Sequence, residues 1–255
     1  MAIETTILTF GTNKVGTVGG KLMGVKPFMN NFSPFAWYNN DLDTITKSGS
    51  DRVSEWRDSS GNDRHLTQAT GGSQPLWVNG LLNGQGGINF DGATTTKFLS
   101  TTFASNLLGV VDFFYVGRML TAPGIYPYYF GGTTDNRRII QYWFSNEMRL
   151  VTTDPAGTAF PTVKTQTIPT GFIYMNPTFD STSSEYREGG NLITSSIPLR
   201  SCVVDGFRLG AGHGATPDNN SRLNGSIVEV AMFNRKVTND ERLQINNYFK
   251  SKYGL

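Results

Sequence analysis

The sequence predicts an all-β fold in which two antiparallel sheets pack face to face, and three observations lead to that prediction. Charged residues make up only 16% of the 255 residues, and threonine, serine, asparagine and 29 glycines, which suit strands and tight turns, replace them. Runs rich in β-branched and aromatic residues recur about every 8–12 residues between turn signals, as in sandwiches. Only one convincing helix is present, at the C-terminus.

Residues 1–32 differ from the rest of the chain and are interpreted as an extended N-terminal arm. A short β-prone segment is followed by five glycines between positions 11 and 24, a run too rich in glycine to form its own core. Such an arm is either disordered or held by its own domain or by a neighbouring chain. Our hypothesis is that it adds a strand to another subunit or wraps around it.

The domain proper is predicted to span residues 33–255. We expect strands at residues 33–38, 53–57, 110–117, 126–130, 138–144, 148–152, 171–179, 184–187, 191–194, 207–210 and 226–233. The last of these should be an inner strand, because both of its alternating side-chain sets are mostly apolar. The predicted sets are Val228, Val230 and Met232 on one face and Ile227, Glu229, Ala231 and Phe233 on the other.

The closing helix is predicted to start after Thr238 and to stop at Gly254. Thr238 and Glu241 have the spacing of a capping box, in which each side chain satisfies a free backbone N–H of the first turn. Glycine at the end supplies the left-handed conformation that terminates a helix. The apolar residues that gather on one stripe of this helix are Ile245, Tyr248, Phe249 and Tyr253.

Four stretches of sequence carry a family resemblance. Residues 53–62 read V-x-x-W-x-D-x-S-G-N, and residues 74–84, residues 88–92 leading to 98–100, and residues 223–254 follow in the expected order. Together they resemble the laminin-G-like, concanavalin A-like lectin jelly-roll domains found in many bacterial surface proteins and bacteriophage virion proteins. The resemblance covers residues 33–255 and implies an antiparallel β-sandwich jelly roll with one C-terminal helix.

Some domains of this architecture hydrolyse polysaccharides, and retaining glycosidases need two carboxylates about 5 Å apart. Glu229 is followed by Ala231 and Asn234, so the E-x-D-x-x-E pattern of the glucanase branch is absent. We expect Glu229 to be a buried structural carboxylate held by an arginine or by backbone donors. His65 and His213 are far apart and Cys202 is alone, so no triad or zinc cluster is evident. The chain is therefore predicted not to be an enzyme.

Two kinds of binding site remain open. Calcium is an alternative because Asp58, Asp63 and Asp91 offer hard oxygen ligands, with Asn62 and residues 218–220 in support, although such residues beside glycine are first of all turn formers. Sugar binding is the other, through aromatic rings that stack on a pyranose. The proposed platform is Tyr126, Tyr128, Tyr129, Tyr142 and Trp143, whose alternative role is packing in the core, the role also expected for Trp56.

Charge and hydropathy exclude several classes of partner. The net charge is +2, and no basic run is longer than two residues, so no footprint for nucleic acid is present. No apolar run is long enough to span a membrane. The first residues lack the basic region and apolar run of a secretory signal peptide, so we expect synthesis and initial retention in a bacterial cytoplasm.

The leading hypothesis is a non-enzymatic bacteriophage virion structural protein: a capsid decoration, head-fibre or tail component. It would dock on other virion proteins through residues 1–32 and display the sandwich towards host-surface glycans. A homo-oligomer is expected, a trimer being one order among several. The alternative is a free carbohydrate-binding module or lectin, and a glycoside hydrolase is the third and weakest hypothesis.

Overall fold

The computed structural model of the chain describes residues 17–18, 21–22, 28–92, 95–121, 128–134, 138–144, 147–154, 157–159, 161–165, 170–199, 203–212 and 221–255. They contain one α-helix, α1 (Asn239–Tyr253), and short 3-10 helices at Phe28–Phe32, Leu42–Thr44 and Gly71–Ser73. The strands are β1 (Thr17–Val18), β2 (Lys21–Leu22), β3 (Ala36–Tyr38), β4 (Ile45–Lys47), β5 (Val53–Trp56), β6 (Leu66–Thr67), β7 (Leu76–Leu82), β8 (Gln85–Asp91), β9 (Leu99–Leu108), β10 (Val111–Thr121), β11 (Tyr128–Gly131), β12 (Arg138–Phe144), β13 (Glu147–Asp154), β14 (Gly157–Ala159), β15 (Thr162–Thr165), β16 (Ile173–Phe179), β17 (Ser184–Glu188), β18 (Asn191–Ile197), β19 (Val203–Leu209) and β20 (Asn224–Phe233).

Two antiparallel sheets form the body of the molecule. The first has eight strands in the order β18-β17-β16-β10-β20-β8-β7, with β3 also paired to β20. The second has ten strands in the order β14-β13-β12-β11-β19-β9-β6-β5-β4, with β15 paired to β13. Side chains from both sheets form one buried cluster, in which Trp56 is fully buried as predicted. The predicted all-β sandwich with one C-terminal helix is confirmed.

Strand β20 is the central strand of the first sheet, and almost all of its residues are buried. It pairs with β10 along its length, with β8 over its first half and with β3 over its second half. The strand is therefore covered laterally on both sides as well as on both faces. This confirms the prediction of an inner strand.

A β-bulge in β20 corrects the predicted distribution of its side chains. Ile227 pairs with Gly117 and Glu229 with Val116, so Val228 between them has no partner on β10. One extra residue inverts the alternation on either side of it. Consequently Val228 lies on the helix-facing side with Ala231 and Phe233, whereas Ile227 lies between the sheets with Val230 and Met232.

Helix α1 covers the outer face of the first sheet. The Thr238 hydroxyl accepts a hydrogen bond from the Glu241 N–H, and the Glu241 carboxylate accepts one from the Thr238 N–H at 2.8 Å. Gly254 has a φ of +63° and ends the helix. The predicted capping box and stop are confirmed. The cluster under the helix contains Trp37, Phe114, Val116, Tyr174, Ile245, Phe249 and Tyr253, with Tyr248 packed at its edge.

Among the described residues, Phe28–Phe32 already pack against the domain, a few residues before the predicted boundary at residue 33. Met29 and Phe32 are buried in the cluster under α1. Phe28 stacks on Tyr248 with ring centroids 5.1 Å apart. Of the remaining predicted arm, the structure describes only β1 and β2, which pair with each other. Residues 1–16, 19–20 and 23–27, on which most of the arm hypothesis falls, lie outside the described residues.

Candidate functional site

A cavity of about 620 Å³ opens where strands of both sheets end. Its wall is formed by the segment before β3, the turn after β5, the later part of β9 and the residue after β20. The volume is within the ordinary range for a small-ligand pocket. The side chains that give the cavity its chemistry are Asn30, Phe35, Asn62, Arg64, Asn106 and Asn234.

The turn after β5 is organised around the carboxylate of Asp58. That carboxylate accepts hydrogen bonds from the backbone N–H groups of Trp37 (2.9 Å), Ser60 (2.9 Å) and Arg64 (3.1 Å), and from the Ser60 hydroxyl (2.8 Å). A short acidic side chain that accepts from backbone donors further along the chain is the usual means of closing such a turn. The turn thereby holds Asn62 and Arg64 against the start of β3.

Arg64 is fixed on the ring and backbone of Phe35. Its Nη1 donates to the Phe35 carbonyl at 2.9 Å, and its guanidinium carbon lies 3.6 Å from the Phe35 ring centroid, a cation–π contact. Asn62 Nδ2 donates to the same carbonyl at 3.1 Å. The Phe35 ring is supported in turn by an edge-on contact with Phe103, at 5.0 Å between centroids. The guanidinium is therefore held in one orientation before any ligand arrives.

Asn30 contributes an acceptor that the described residues leave unused. Its Nδ2 donates to the Ser59 carbonyl at 3.0 Å, whereas its Oδ1 is buried and accepts no hydrogen bond from the described part of the chain. A buried acceptor without a donor is costly. Because its surface is inaccessible, a ligand in the cavity does not reach this atom. Asn106 and Asn234 are exposed residues of the same lining.

The lining of the cavity suits a ligand rich in hydroxyl groups. Amides and hydroxyls both donate and accept hydrogen bonds, as do the hydroxyls of a sugar. The stacked pair of Phe35 and Arg64 adds a flat polarisable surface at the wall. Among the residues that line the cavity, Arg64 carries the charge and none is a carboxylate. The described lining can therefore bind, but it supplies no acid pair for hydrolysis.

The predicted aromatic platform for sugar stacking is wrong for the three side chains that the structure describes. Tyr129, Tyr142 and Trp143 are buried, with at most 4% of each residue exposed, so a sugar cannot reach their ring faces. Tyr142 packs with Ile140 and Val151 in a small cluster, which is the alternative role of core packing. Tyr126 lies outside the described residues, and so does the side chain of Tyr128.

The three carboxylates predicted as calcium ligands have separate surroundings. Both oxygens of Asp58 are engaged by protein donors, and Asp63 is an exposed turn residue with a φ of +55°. Asp91 lines a smaller cavity of about 130 Å³ together with Arg52 and Lys97, whose charges oppose a metal ion. No three histidine, cysteine or acidic side chains of the described residues are grouped to hold a metal.

The remaining residues singled out for catalysis or metal binding are also separated. His65 Nδ1 accepts a hydrogen bond from the Asp58 N–H at 3.1 Å, so it belongs to the turn. His213, Cys202 and residues 218–220 lie outside the described residues. In the described parts of the chain, no helix is long and apolar enough to cross a membrane.

Glu229 is fully buried, as predicted, but its partners differ from those expected. Its carboxylate accepts hydrogen bonds from Trp37 Nε1 (2.7 Å), the hydroxyls of Tyr248 (3.0 Å) and Tyr253, and Lys252 Nζ (2.8 Å). The expected arginine or backbone donors are thus replaced by side chains of the helix and by Trp37 of β3. Burial, reinforced by the nearby carboxylate, raises the pKa of both tyrosine hydroxyls well above their ordinary value. The arrangement fastens α1 to the sheet.

A second buried network, which the sequence did not predict, anchors the start of the helix. Asp112 accepts hydrogen bonds from Asn176 Nδ2 (2.7 Å), Thr178 Oγ1 (2.9 Å), Arg242 Nη2 (3.0 Å) and the Val237 N–H (3.2 Å). Burial raises the pKa of the Asp112 carboxyl, and the charge of Arg242 opposes that rise. Arg242 interrupts the apolar stripe of the helix because its positive charge pairs with the buried carboxylate of Asp112 on β10.

Some of the residues that line the cavity were noted in the sequence, but for other reasons. The S-G-N at residues 60–62 belonged to the family resemblance, and Phe35 to the first predicted strand. Arg64, Asn106 and Asn234 belong to no local pattern, because only the fold brings these segments together. Asparagines recur near the ends of several predicted strands, and this recurrence is the signal that could have indicated the site.

Several solved β-sandwich domains share the fold of this chain. The binding domain of Paraclostridial Mosquitocidal Protein 1 is similar, with a TM-score of 0.60 and 13% identity, over 80% of this chain and 51% of that one. The binding domain of botulinum neurotoxin DC, solved in complex with rat synaptotagmin II, gives a TM-score of 0.54 and 10% identity, over 86% and 52%. This chain thus spans about half the length of the two toxin domains.

A third similar structure has nearly the same extent as this chain. Domain 4 of AbnA, a GH43 extracellular arabinanase from Geobacillus stearothermophilus, solved in complex with arabinotriose, gives a TM-score of 0.59 and 12% identity. The match covers 84% of this chain and 98% of that domain. At such identities the likeness concerns the fold. No protein-family model matches the sequence, and no curated protein matches it.

Proposed function

We propose that this chain is a non-enzymatic, lectin-like binding domain that takes a carbohydrate in the cavity beside Phe35 and Arg64. The observation that carries the proposal is the lining, in which four asparagines, three serines and one arginine converge on about 620 Å³. One fold relative supports a carbohydrate ligand, since the AbnA domain was solved with arabinotriose, and the neurotoxin domain, solved with synaptotagmin II, supports a binding role in general.

A glycan array and a cavity-blocking variant test this proposal. Asn106 is exposed on the cavity wall, so Asn106→Trp should fill the space without disturbing the core. We expect the native chain to bind at least one class of glycan and Asn106→Trp to lose most of that binding. Ser195→Trp, an equally exposed change on edge strand β18, is the matched control and should bind normally. Failure of the native chain to bind any glycan would contradict the proposal.

The non-enzymatic part of the proposal is supported by the surroundings of Glu229. Its carboxylate is fully buried and held by four side-chain donors, so it is not available to a substrate. We expect no release of reducing ends from a panel of polysaccharides. The prediction would be contradicted if the native chain were active and Glu229→Gln, although still folded, were inactive.

The setting that we propose is the surface of a bacteriophage virion, with the domain as a capsid decoration, head-fibre or tail component in a homo-oligomer. Support comes from the resemblance of residues 33–255 to domains of virion proteins and from the glycine-rich residues 1–32. A free carbohydrate-binding module is the alternative. Mass spectrometry of purified particles should detect the chain in a fixed ratio to the capsid protein. Its absence from the particles would favour the free module.

A further inference from the structure

We propose that the cavity is selective for an acidic sugar and that Arg64 binds the carboxylate on the sugar ring. This inference rests on the proposed function and names the class of ligand for the same site. It follows from the way Arg64 is held, from the charge of the lining and from the amides and hydroxyls that line the rest of the cavity.

One edge of the Arg64 guanidinium is free while the rest of the group is fixed. Nη1 is bound to the Phe35 carbonyl, and the Phe35 ring packs against the guanidinium plane. Nε and Nη2 make no hydrogen bond to any described residue, and neither nitrogen is fully buried. These two nitrogens form one edge of the planar group, and that edge matches the two oxygens of a carboxylate. The protein has therefore oriented a carboxylate-binding edge.

Arg64 forms no ion pair within the described part of the chain. No described acidic side chain forms an ion pair with it, and none lines the cavity. The nearest carboxylate by contact is that of Asp58, which binds the Arg64 backbone N–H and is already engaged at both oxygens. A carboxylate on the ligand would thus meet a fixed cation that forms no ion pair with a described side chain, in a concave site where such an interaction is stronger than at an open surface.

The neutral part of the ligand is served by the remaining side chains. The hydroxyls of Ser33, Ser60 and Ser105 belong to the lining and can exchange hydrogen bonds with sugar hydroxyls. The exposed amides of Asn106 and Asn234 can contact further hydroxyls. A carboxylate alone would leave these groups unused, and a neutral sugar would leave Arg64 unused. An acidic sugar uses both halves of the lining.

Titration calorimetry with paired ligands tests the inference. The probes are a trigalacturonate, a sialylated trisaccharide, their carboxyl-reduced neutral counterparts and a sulfated disaccharide. We expect reduction of the carboxylate to weaken binding at least about tenfold, and Arg64→Gln to weaken the acidic ligand to the level of its neutral counterpart. Arg64→Lys should recover only part, because lysine cannot form two parallel bonds. Arg57→Gln, an exposed arginine outside the lining, is the control and should bind normally.

The outcomes separate this inference from the proposed function. Equal binding of acidic and carboxyl-reduced sugars would overturn the inference and leave the carbohydrate-binding function intact. Equal binding of sulfated and carboxylated sugars would overturn the carboxylate assignment in favour of a general anion site. Binding of no sugar would overturn both. Should Arg64→Gln fail to fold, Asn106→Asp places a carboxylate at the cavity and should weaken acidic sugars while sparing neutral ones.

Discussion

At the scale of single residues, the Asp58 carboxylate holds a turn together by accepting hydrogen bonds from the protein. Its two oxygens accept four hydrogen bonds from Trp37, Ser60 and Arg64. Because three of the donors are backbone N–H groups, the carboxylate fixes the path of the chain. The wall of the cavity depends on that path, so Asp58 shapes the proposed binding site through the backbone.

Asp58→Asn should destabilise the domain by about 1–3 kcal/mol, because an amide cannot accept at all the positions of the carboxylate. Thermal unfolding of the native chain and the variant should be unaffected by EDTA. Asp91→Asn, at the end of β8, is the control and should change the melting temperature little. A decrease in the native melting temperature with EDTA that Asp58→Asn abolishes would identify a metal ion at this turn.

Glu229→Gln should cost about 3 kcal/mol of unfolding free energy, because the amide nitrogen would face donors and Lys252 would lose its counterion. Urea unfolding measures this loss. Glu55→Gln, at a carboxylate paired with the exposed Arg57, should cost less than about 1 kcal/mol. Equal effects of the two substitutions would show that the buried cluster contributes no more than a surface pair.

The role of Glu229 was only half accessible from the sequence. Burial followed from its position among apolar residues of a central strand, which is local information. Its partners did not follow, because Trp37 is 192 positions away and the helix that supplies Lys252 could have docked in another register. The same limit applies to Asp112, because nothing in the sequence near it indicates that Arg242 is its partner.

At the scale of elements, the start of α1 combines two devices that depend on Glu241. The carboxylate accepts from the Thr238 N–H in the capping box and forms two hydrogen bonds with Arg235, both at 2.7 Å. The contact with Arg235 and the capping bond lower the pKa of Glu241 to about 2. A helix start held in this way should be sensitive to acid.

The pH dependence of Glu241→Gln provides the test. The folded pKa lies below the ordinary value of 4.5, so the stabilisation is complete above about pH 4.5 and is lost as the pH falls towards 2. We expect the melting temperature of the variant to lie below that of the native chain at neutral pH, with the difference shrinking over this interval. Glu55→Gln should show a smaller change. A difference that is constant from neutral pH to pH 2 would contradict the assignment.

The elements differ in how well the sequence predicts them. Helix α1, its capping box and its stop at Gly254 were predicted correctly because each depends on residues within one or two turns. The bulge at Val228 was not predicted, since it arises where β20 leaves β8 and begins to pair with β3. A strand that changes partners has no signature in its own residues.

At the scale of the whole molecule, the segment Phe28–Phe32 belongs to the folded domain. Met29 is fully buried and Phe32 nearly so, and both pack under the helix. The boundary that matters for stability is therefore expected near residue 28. The Gly-rich residues before it are the part assigned to docking and oligomerisation.

Two shortened chains test this boundary. A chain that begins at Phe28 should unfold at nearly the native urea concentration, whereas one that begins at Ser33 should lose roughly 3–5 kcal/mol, the value of burying two large apolar side chains. Sedimentation of the chain that begins at Phe28 also tests whether the preceding residues are needed for oligomerisation. Equal stability of the two shortened chains would place the boundary at residue 33 after all.

The sandwich as a whole could be predicted from the sequence, whereas the cavity could not. Turn chemistry, β-branched runs and the closing helix report on the fold in many places at once, so single errors do not change the class. The cavity depends on residues 30, 64, 106 and 234 meeting at one end of the strands. Of the aromatic residues that the sequence suggested for sugar stacking, Tyr129, Tyr142 and Trp143 are needed for the interior of the sandwich.

The pairing of β3 with β20 has a consequence for biosynthesis. Val230 lies beside Tyr38, so one of the earliest strands to leave the ribosome must wait for one of the last before the two can pair. Until then an apolar, aromatic ribbon stays available to other nascent chains. We expect that messages interrupted before the final strand yield insoluble product, and that high-level production benefits from slow translation or added chaperones.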